Sequence, residues 1–558
     1  MTKTTILILG GGGMQVPGIQ IANKMNWTTI VADGVPYVPG REYADYFENI
    51  DLKDTERMIQ AALKYKNSIG LDGVFTAGTD FSETVARVAS AADLPGISIQ
   101  ASINASNKEK MREAFKIHNI PSPLFFTVNK NRLFNKTDFL DKGFEFPLVV
   151  KPVDNMGSRG IRRTDNIEEL EIAVNEAFLF SRSGTVIIEE YLDGAEFSID
   201  ALIYENKITI CGFADRHIFY PPYFIEMGHT IPSSIDKKMY KEIITTFKAA
   251  VRALGITEGA AKGDIRLNKG KVYIGEIAAR LSGGYMSGWT FPYSSGVELT
   301  KEALKIAVGR APTNLLPIFN KTTAERAFLS IPGKIIGISG IEEAKSEKHI
   351  FDLFLRVKTG LVVKFPENNV EKAGNCIAVN KNRAIAIRSA EDACRKIFIR
   401  LEACNKITEE FIFGNYQVWV KNAFILNENI NIEALEKMPD FELSRANNIG
   451  ILTLPELLQE SAKEWHGKAV EIAFKEVIDI VSRDNQNINI PTVLVNKTNS
   501  YKNDTVDLYP DGVVLGKFFY RAFLRGGVQG GVWVIDTIRK TIEERKNLLE
   551  LFSRWKEY

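Results

Sequence analysis

The stretch Phe146–Asp200 opens with FPLVVKPVDNMGSRGI (Phe146–Ile161) and closes with TVIIEEYLDGAEFSID (Thr185–Asp200). The first passage runs apolar up to Lys151, on a strand that Val149 and Val150 predict to be buried, where an unpartnered ammonium would be costly. A phosphate partner removes that cost. The loop Asp154–Gly160 then carries Gly157, Ser158, Arg159 and Gly160, and a chain poor in side chains can lay its N–H groups over β- and γ-phosphates. The second passage is a β-branched strand ending in Glu189 and Glu190. From there to Leu192 the main chain can read an adenine edge and a carboxylate its amino group, while Glu196 is placed to accept from ribose hydroxyls. A strand-end lysine, a small-residue loop and a strand ending in carboxylates are the parts of a nucleoside triphosphate site.

Two further passages extend it. GAAKGDIRLNKGKVYIGEIAARLSGG (Gly259–Gly284) reads as a hairpin turning at Asn268–Lys271, with Asp264 on one strand and Glu276 on the next facing the same way. Two such carboxylates beside a triphosphate are a usual way to hold magnesium. Arg280 and the turn Gly283–Gly284 follow, and a guanidinium there can clamp a transferring phosphoryl group or a substrate carboxylate. Upstream, NKEKMREAFKIHNIPSP (Asn107–Pro123) predicts a helix with Met111, Phe115 and Ile117 inward and its lysines outward. Lys108 is then either a solvated face residue or a cation for the nucleotide α-phosphate.

The chain begins with a βαβ pattern: strand Thr4–Leu9, glycines Gly10–Gly13, helix Ile19–Met25 and strand Thr28–Ala32 ending at Asp33. Neither Gly10/Gly12 nor Gly11/Gly13 is followed by the third glycine of a dinucleotide fingerprint, so the run is expected to be a tight strand-to-helix turn, open at most to a substrate anion. Strand Gly73–Ala77 leads into a helix that Thr79 or Asp80 would cap, with Val85 and Val88 on its apolar face.

With 558 residues, 45% hydrophobic and 25% charged, the chain can build several cores. Lys+Arg at 70 against Asp+Glu at 69 leaves +1, so nothing at whole-chain level argues for a nucleic-acid or membrane-surface partner. Cys211, Cys376, Cys394 and Cys404 show no CxxC spacing, which suits reduced thiols and a cytoplasmic location. The apolar run near the N-terminus ends in glycines too soon for a signal-peptide core, and no stretch is long enough to span a bilayer.

In this order the residues resemble the ATP-grasp superfamily of carboxylate–amine ligases. The resemblance implies an α/β ATP-grasp fold: a Rossmann-like pre-ATP-grasp domain over 1–105, a small subdomain over 106–186 and a large subdomain over 187–310. A small β-rich closing domain over 311–404 completes it; the resemblance ends there, and an extra α+β module over 405–558 has no role assigned by it. Biotin carboxylase and the carbamoyl-phosphate synthetase large chain share the frame. The segment FADRHIFYPPYFIEMGHTIPS (Phe213–Ser233) is similar to L-amino acid ligases, in which a Glu and, three residues on, a His line the metal and substrate site; here they are Glu226 and His229. The resemblance implies ATP and Mg2+ or Mn2+ as cofactors, with Lys108, Lys151, Gly157, Ser158, Gly160, Glu189, Glu190, Leu192 and Glu196 around the nucleotide. It implies Glu226, Asp264 and Glu276 on the metal, with Arg280, His229 and Lys151 steadying the phosphoryl group. One departure is Ala278, where many members carry a metal-binding Asn, and Glu226 is the candidate replacement.

The implied partners are a small-molecule carboxylate and an amine, with no nucleic acid and no membrane. The implied reaction moves the γ-phosphoryl of ATP to the carboxylate, after which the amine displaces phosphate. A bicarbonate-using carboxylase or carbamoyl-phosphate type, and an ATP-binding sensor or scaffold without catalysis, are the alternatives. Beyond residue 309, AERAFLSIPGKIIGISGIEEA, VKTGLVVKFPENN and NCIAVN alternate as strands, and SAEDACRKIFIRLE (Ser389–Glu402) reads as a helix; this domain is expected to cap the site without chemistry. Past residue 405, WHGKAVEIAFKEVIDIVS reads as a helix, with Trp465 and His466 as core. The paired glycines of RAFLRGGVQGGVWV (Arg521–Val534) suggest tight turns beside a strand, and Ile538, Ile542, Leu549 and Phe552 form a terminal helix stripe that fits a core or a homodimer contact.

Overall fold

The computed structural model describes residues 3–131 and 143–414 and, beyond them, 422–424, 432–438, 440, 442–445, 458, 461–483, 512–540 and 553–555. Two compact units divide the chain: Met1–Glu325 with Glu367–Asn369 and Ile377–Ile387, and Arg326–Pro366 with Val370–Cys376 and Arg388–Tyr558.

The first unit opens with the expected βαβ pattern. Strands β1 (Thr5–Leu9), β2 (Thr28–Ala32), β3 (Tyr46–Glu48) and β4 (Gly73–Phe75) form a sheet in the order β3-β2-β1-β4, all parallel to their neighbours. Gly10 turns the chain out of β1 at φ +99, a conformation that costs glycine nothing, and the Gly11 N–H donates to Asp33 Oδ2 at 2.8 Å. The glycine run is thereby tied to the end of β2 as a turn. The helix after β4, Ser82–Ala91, has Phe81 at its N-cap and no side-chain cap, which corrects the expectation for Thr79 or Asp80.

A second sheet, order β5-β8-β6-β7, pairs β5 (Phe125–Asn129), β6 (Leu148–Pro152), β7 (Arg162–Thr164) and β8 (Thr185–Glu190) antiparallel. The helix Ile167–Phe180, capped by Asn166, covers it, and Leu148, Val150, Leu170, Val174, Val186 and Ile188 share one core. Lys151 lies on β6 next to its end, where the apolar run placed it.

The largest sheet contains β9 (Ala195–Tyr204), β10 (Lys207–Phe219), β11 (Ile225–Ile231), β12 (Gly259–Asn268), β13 (Lys271–Ala278) and β14 (Thr322–Phe328), in the order β13-β12-β9-β10-β11-β14. Side chains alternate across a strand with period two, so each strand presents two different faces. On one face Phe197, Ile199, Phe213, Ile265, Ile274 and Ile277 meet the helices Lys108–Ile117 and Lys237–Ala253 through Met111, Phe115, Ile243 and Phe247. Ile117 is 75% exposed and not part of that core, because the helix ends there. The expected hairpin turn falls between β12 and β13, with Lys269 at φ +48 and Gly270 at φ +76.

In the second unit, strand Gly333–Ser339 pairs with Val362–Val363 and with Phe398–Leu401. The last of these corrects the reading of Ser389–Glu402 as wholly helical: the helix is Arg383–Lys396, and β-branched, aromatic FIRL extends as a strand beside its partner. Arg521–Val534 is corrected in part: it lies in two helical pieces within Lys517–Lys540, and of its paired glycines Gly527, at φ 61 and ψ −145, breaks the chain between them. The second pair serves close packing: a Cβ on Gly530 would sit 2.1 Å from the Ala522 carbonyl oxygen, and one on Gly531 3.0 Å from Val477. Trp465 packs as expected, its ring 4.9 Å from Phe365 and 6.1 Å from Phe411, and His466 Nε2 accepts from Leu329 N–H at 3.1 Å. Ile538 is buried; Ile542, Leu549 and Phe552 lie outside the described residues. Among the described residues no helix is long and apolar enough to cross a membrane.

Candidate active site

The second face of the large sheet is charged. In register, Glu196 of β9 stands opposite Arg266 of β12 and Arg216 of β10; Ser198 stands opposite Asp264, Asp200 opposite Lys262, and Asp264 also opposite Glu276 of β13. Ions this close to a core must be paired. Arg216, about 10% exposed, is held by Glu226 and Asp264 at 2.8 Å each and by Glu196 at 3.4 Å. Lys262 pairs with Asp264 and Arg266 with Glu196. The prediction that Asp264 and Glu276 share a face therefore holds in the register.

At the edge of this face the second sheet brings Lys151, whose Nζ donates to Glu189 Oε2 at 2.6 Å. Glu189 is 1% exposed and also takes the Arg112 Nε–H at 2.7 Å. Burial alone would raise its carboxyl, but Arg112 and Lys151 outweigh burial and hold it below the usual range. Lys108 is buried, not on the outward face; its Nζ donates to the Asn155 carbonyl at 2.8 Å and lies 3.8 Å from Glu276 Oε1. Burial would also raise Glu276, yet Lys108, Lys262, Arg280 and Lys151 hold it down to about 2. A carboxylate kept ionised among cations is ready for a hard cation or for exchange of its partners.

Several of the expected nucleotide residues are engaged with protein partners. The Glu189 carboxylate is engaged by Arg112 and Lys151. Glu190 Oε1 accepts from Leu124 N–H at 2.9 Å, Glu190 N–H donates to the Leu124 carbonyl at 3.1 Å and Tyr191 N–H to that of Pro147 at 3.2 Å, so this main chain is tied to its own sheet. Leu192 is buried, and Glu196 pairs with Arg216 and Arg266. The loop keeps its expected character: Gly157, Ser158 and Gly160 stand at φ +68, +62 and +67. A Cβ on Gly160 would come within 2.8 Å of the Phe180 ring.

On the far side of the face, His229 is fully buried, with Nε2 2.7 Å from Thr290 Oγ1 and Nδ1 3.1 Å from Glu325 Oε2 and 3.9 Å from Glu226 Oε1. Both ring nitrogens therefore face protein groups: Thr290 on one side, Glu325 and Glu226 on the other. Arg280 is half-buried and its charge reaches both Asp80 and Asp200. Burial pushes Asp80 up against Arg280 and Lys108, and pushes Asp200 up to about 7 against hydrogen bonds from Ser282. Of the expected metal set, Glu226 and Asp264 meet at Arg216, and Glu276, opposite Asp264, faces Lys108; among the described residues no group of three or more His, Cys, Asp or Glu is arranged to hold a metal ion by itself. Arg112, Asp80 and Arg216 were not foreseen. Only Arg112 left a sequence signal, as a charge on the helix face that also carries Met111 and Phe115.

Residues 144–288, which contain every one of these predicted site residues but Lys108, match the ATP-grasp domain family. The chain carries an ATP-grasp domain. Residues 327–402 match the L-amino acid ligase C-terminal domain 2, and both matches end before the last module. Alanine–anticapsin ligase of Bacillus subtilis is 27% identical over 258 residues, 42% of this chain and 53% of that one. The carbamoyl phosphate synthase large chain of Thermotoga neapolitana is 24% identical over 334 residues, 56% of this chain and 29% of that one. The chain thus spans about half or less of the length of these two relatives. The crystal structure of L-amino acid ligase from Bacillus licheniformis superposes with a TM-score of 0.62 at 21% identity, covering 72% of this chain and 100% of that one, a likeness of fold. This ATP-grasp chain is accordingly an enzyme of the carboxylate–amine ligase kind, which form carbon–nitrogen bonds.

Proposed function

We propose that the chain activates the carboxylate of an amino acid or other small carboxylic acid at the expense of ATP, releasing ADP, and passes the acyl group to an amine to form an amide or dipeptide. The observation that carries this reading is the single charged sheet face, with the cations Lys151 and Lys108 at one edge, Asp264 opposite Glu276 in the middle, Arg280 among the cations around Glu276, and Glu226 and His229 beyond. A carboxylate oxygen is a poor leaving group; phosphorylation cures that, and the amine then expels phosphate. Phosphoryl transfer asks a protein mainly for placement and charge neutralisation, which this row supplies.

Lys151 and Lys108 attract the phosphates, and the loop Gly157–Gly160 offers its N–H groups to them. Arg280 neutralises charge on the transferring group or the substrate carboxylate. Glu226, steadied through His229 and Arg216, faces the Gly283–Gly284 turn, where a Cβ on Gly284 would be 3.8 Å from Glu226 Oε1; there it can take a substrate ammonium or a cation. The paired carboxylates Asp264 and Glu276 fit a divalent ion completed by phosphate oxygens, and when bound that ion would lower the charge on the transferring group. The resident cations Lys262 and Arg216 must then give up part of their hold on Asp264.

Phosphate release from MgATP in the presence of pooled amino acids, with and without hydroxylamine to trap an acyl phosphate, tests the proposal. Acid-dependent release with hydroxamate formation, lost in Glu276→Ala, is expected. Tight nucleotide binding with no acid-dependent release in any pool would instead favour a binding protein.

A further inference from the structure

Having left the first unit at Glu325, the chain returns to it for Glu367–Asn369 and again for Ile377–Ile387. The first return places Asn369 at a junction. Its backbone N–H donates to the Gly157 carbonyl at 3.0 Å, its Nδ2–H to Ser158 Oγ at 3.2 Å, and its Oδ1 accepts from Glu226 N–H at 2.7 Å. Ser158 Oγ in turn donates to the Phe224 carbonyl at 3.0 Å. One side chain thus uses its donor on the glycine loop and its acceptor on the strand that bears Glu226.

We infer that Asn369 is a positioning residue that clamps the phosphate loop to the Glu226 strand, so that the loop's closed conformation and the placement of Glu226 are one event. The inference rests on the proposed nucleotide site and assigns to a segment expected to be inert a share in building it. Gly157 and Ser158 both sit at positive φ, and for Ser158 that conformation is unfavourable unless the surroundings fix it. The Asn369 and Phe224 hydrogen bonds are the surroundings that fix it. An amide is required because the two partners ask for a donor and an acceptor at once; aspartate offers acceptors alone and adds a charge beside the phosphates.

The test compares Asn369→Ala and Asn369→Asp with the full-length parent in two assays, neither of which needs the acid substrate. The first is the rate of tryptic cleavage after Arg159, on the loop, without nucleotide. At least a fivefold rise at that bond in both variants, with the rest of the tryptic map unchanged, is expected. The second is binding of the magnesium complex of a non-hydrolysable ATP analogue by calorimetry, with about tenfold loss expected for Asn369→Ala and a larger one for Asn369→Asp. Parent-like cleavage and affinity in both variants would overturn the clamp. If the parent itself binds no nucleotide, the proposed function fails, while the cleavage assay still decides for or against the clamp.

Discussion

Replacing Arg112 with methionine should injure the protein more than any other single change around the nucleotide edge. Arg112 has no exposed side-chain surface, Glu189 is 1% exposed, and they meet at 2.7 Å; Arg112 also donates to the Gly275 carbonyl at 2.6 Å. Removing one partner of a buried pair typically costs about 3–5 kcal/mol, since the other is left charged in a poor solvent. Lys151 still faces Glu189 and recovers part of this, whereas the lost bond to Gly275 adds about 1 kcal/mol, so a net of roughly 3–4 kcal/mol is expected. At about 2 °C per kcal/mol for a large unit, the melting temperature should fall by roughly 6–8 °C. Lys151→Met should cost clearly less, because Lys151 is 21% exposed and its removal leaves Arg112 on Glu189. Differential scanning calorimetry of both variants and of Arg112→Met/Glu189→Leu settles the matter. The double variant should regain much of the loss, as apolar replacement of both members of a buried pair often does. An Arg112 variant as stable as the Lys151 variant, or a double variant no better than the single, would refute the reasoning.

Three further outcomes are expected. Gly160→Ala forces a Cβ into the Phe180 ring from a φ of +67, so about 1–3 kcal/mol of strain should appear as a raised KM for ATP with kcat less affected; an unchanged KM counts against the loop's role. Lys108→Met removes a buried charge 3.8 Å from Glu276 and should weaken MgATP binding about tenfold or more in calorimetry, the scale of a charge-assisted hydrogen bond; equal affinity would return Lys108 to a structural part. Asp200, raised by burial from 3.8 to about 7, binds a proton more readily folded than unfolded, so it costs stability as pH rises through that window and most above it. Asp200→Asn removes that cost while keeping an acceptor for Ser282. Its melting temperature relative to the parent should rise between pH 5 and pH 8, and a pH-independent difference would show that Asp200 does not titrate as argued.

The sequence was most informative where a local pattern and a chemical need coincide. The apolar run into Lys151, the alternation that sets Asp264 opposite Glu276, and the positive-φ glycines of the loop are each short-range, and the structure has each where the pattern put it. Partners were not legible, because partnership is decided across the fold. Glu189 and Glu190 read as open carboxylates until β5, β6 and the helix bearing Arg112 are brought beside them. Glu226 and Asp264 read as metal ligands, yet Arg216 lies between them, from a strand on which nothing in the sequence distinguishes it. Asp80 was mistaken for a helix cap since the same residue type serves both purposes, and the fold gives the cap position to Phe81. Paired glycines are only half legible: Gly527 breaks the helical run as a turn would, whereas Gly530 and Gly531 allow close approach.

The return of the chain at Asn369 also sets an order of events during synthesis. Glu226 N–H waits 143 residues for its acceptor, and Ser158 Oγ waits 211 for one of its donors. Domains emerging from a ribosome tend to fold N-terminal first, but this unit can only be sealed after a stretch of the second has been translated. A nascent chain halted near residue 325 would hold β9 to β13 and every predicted ligand, with the glycine loop still unlatched.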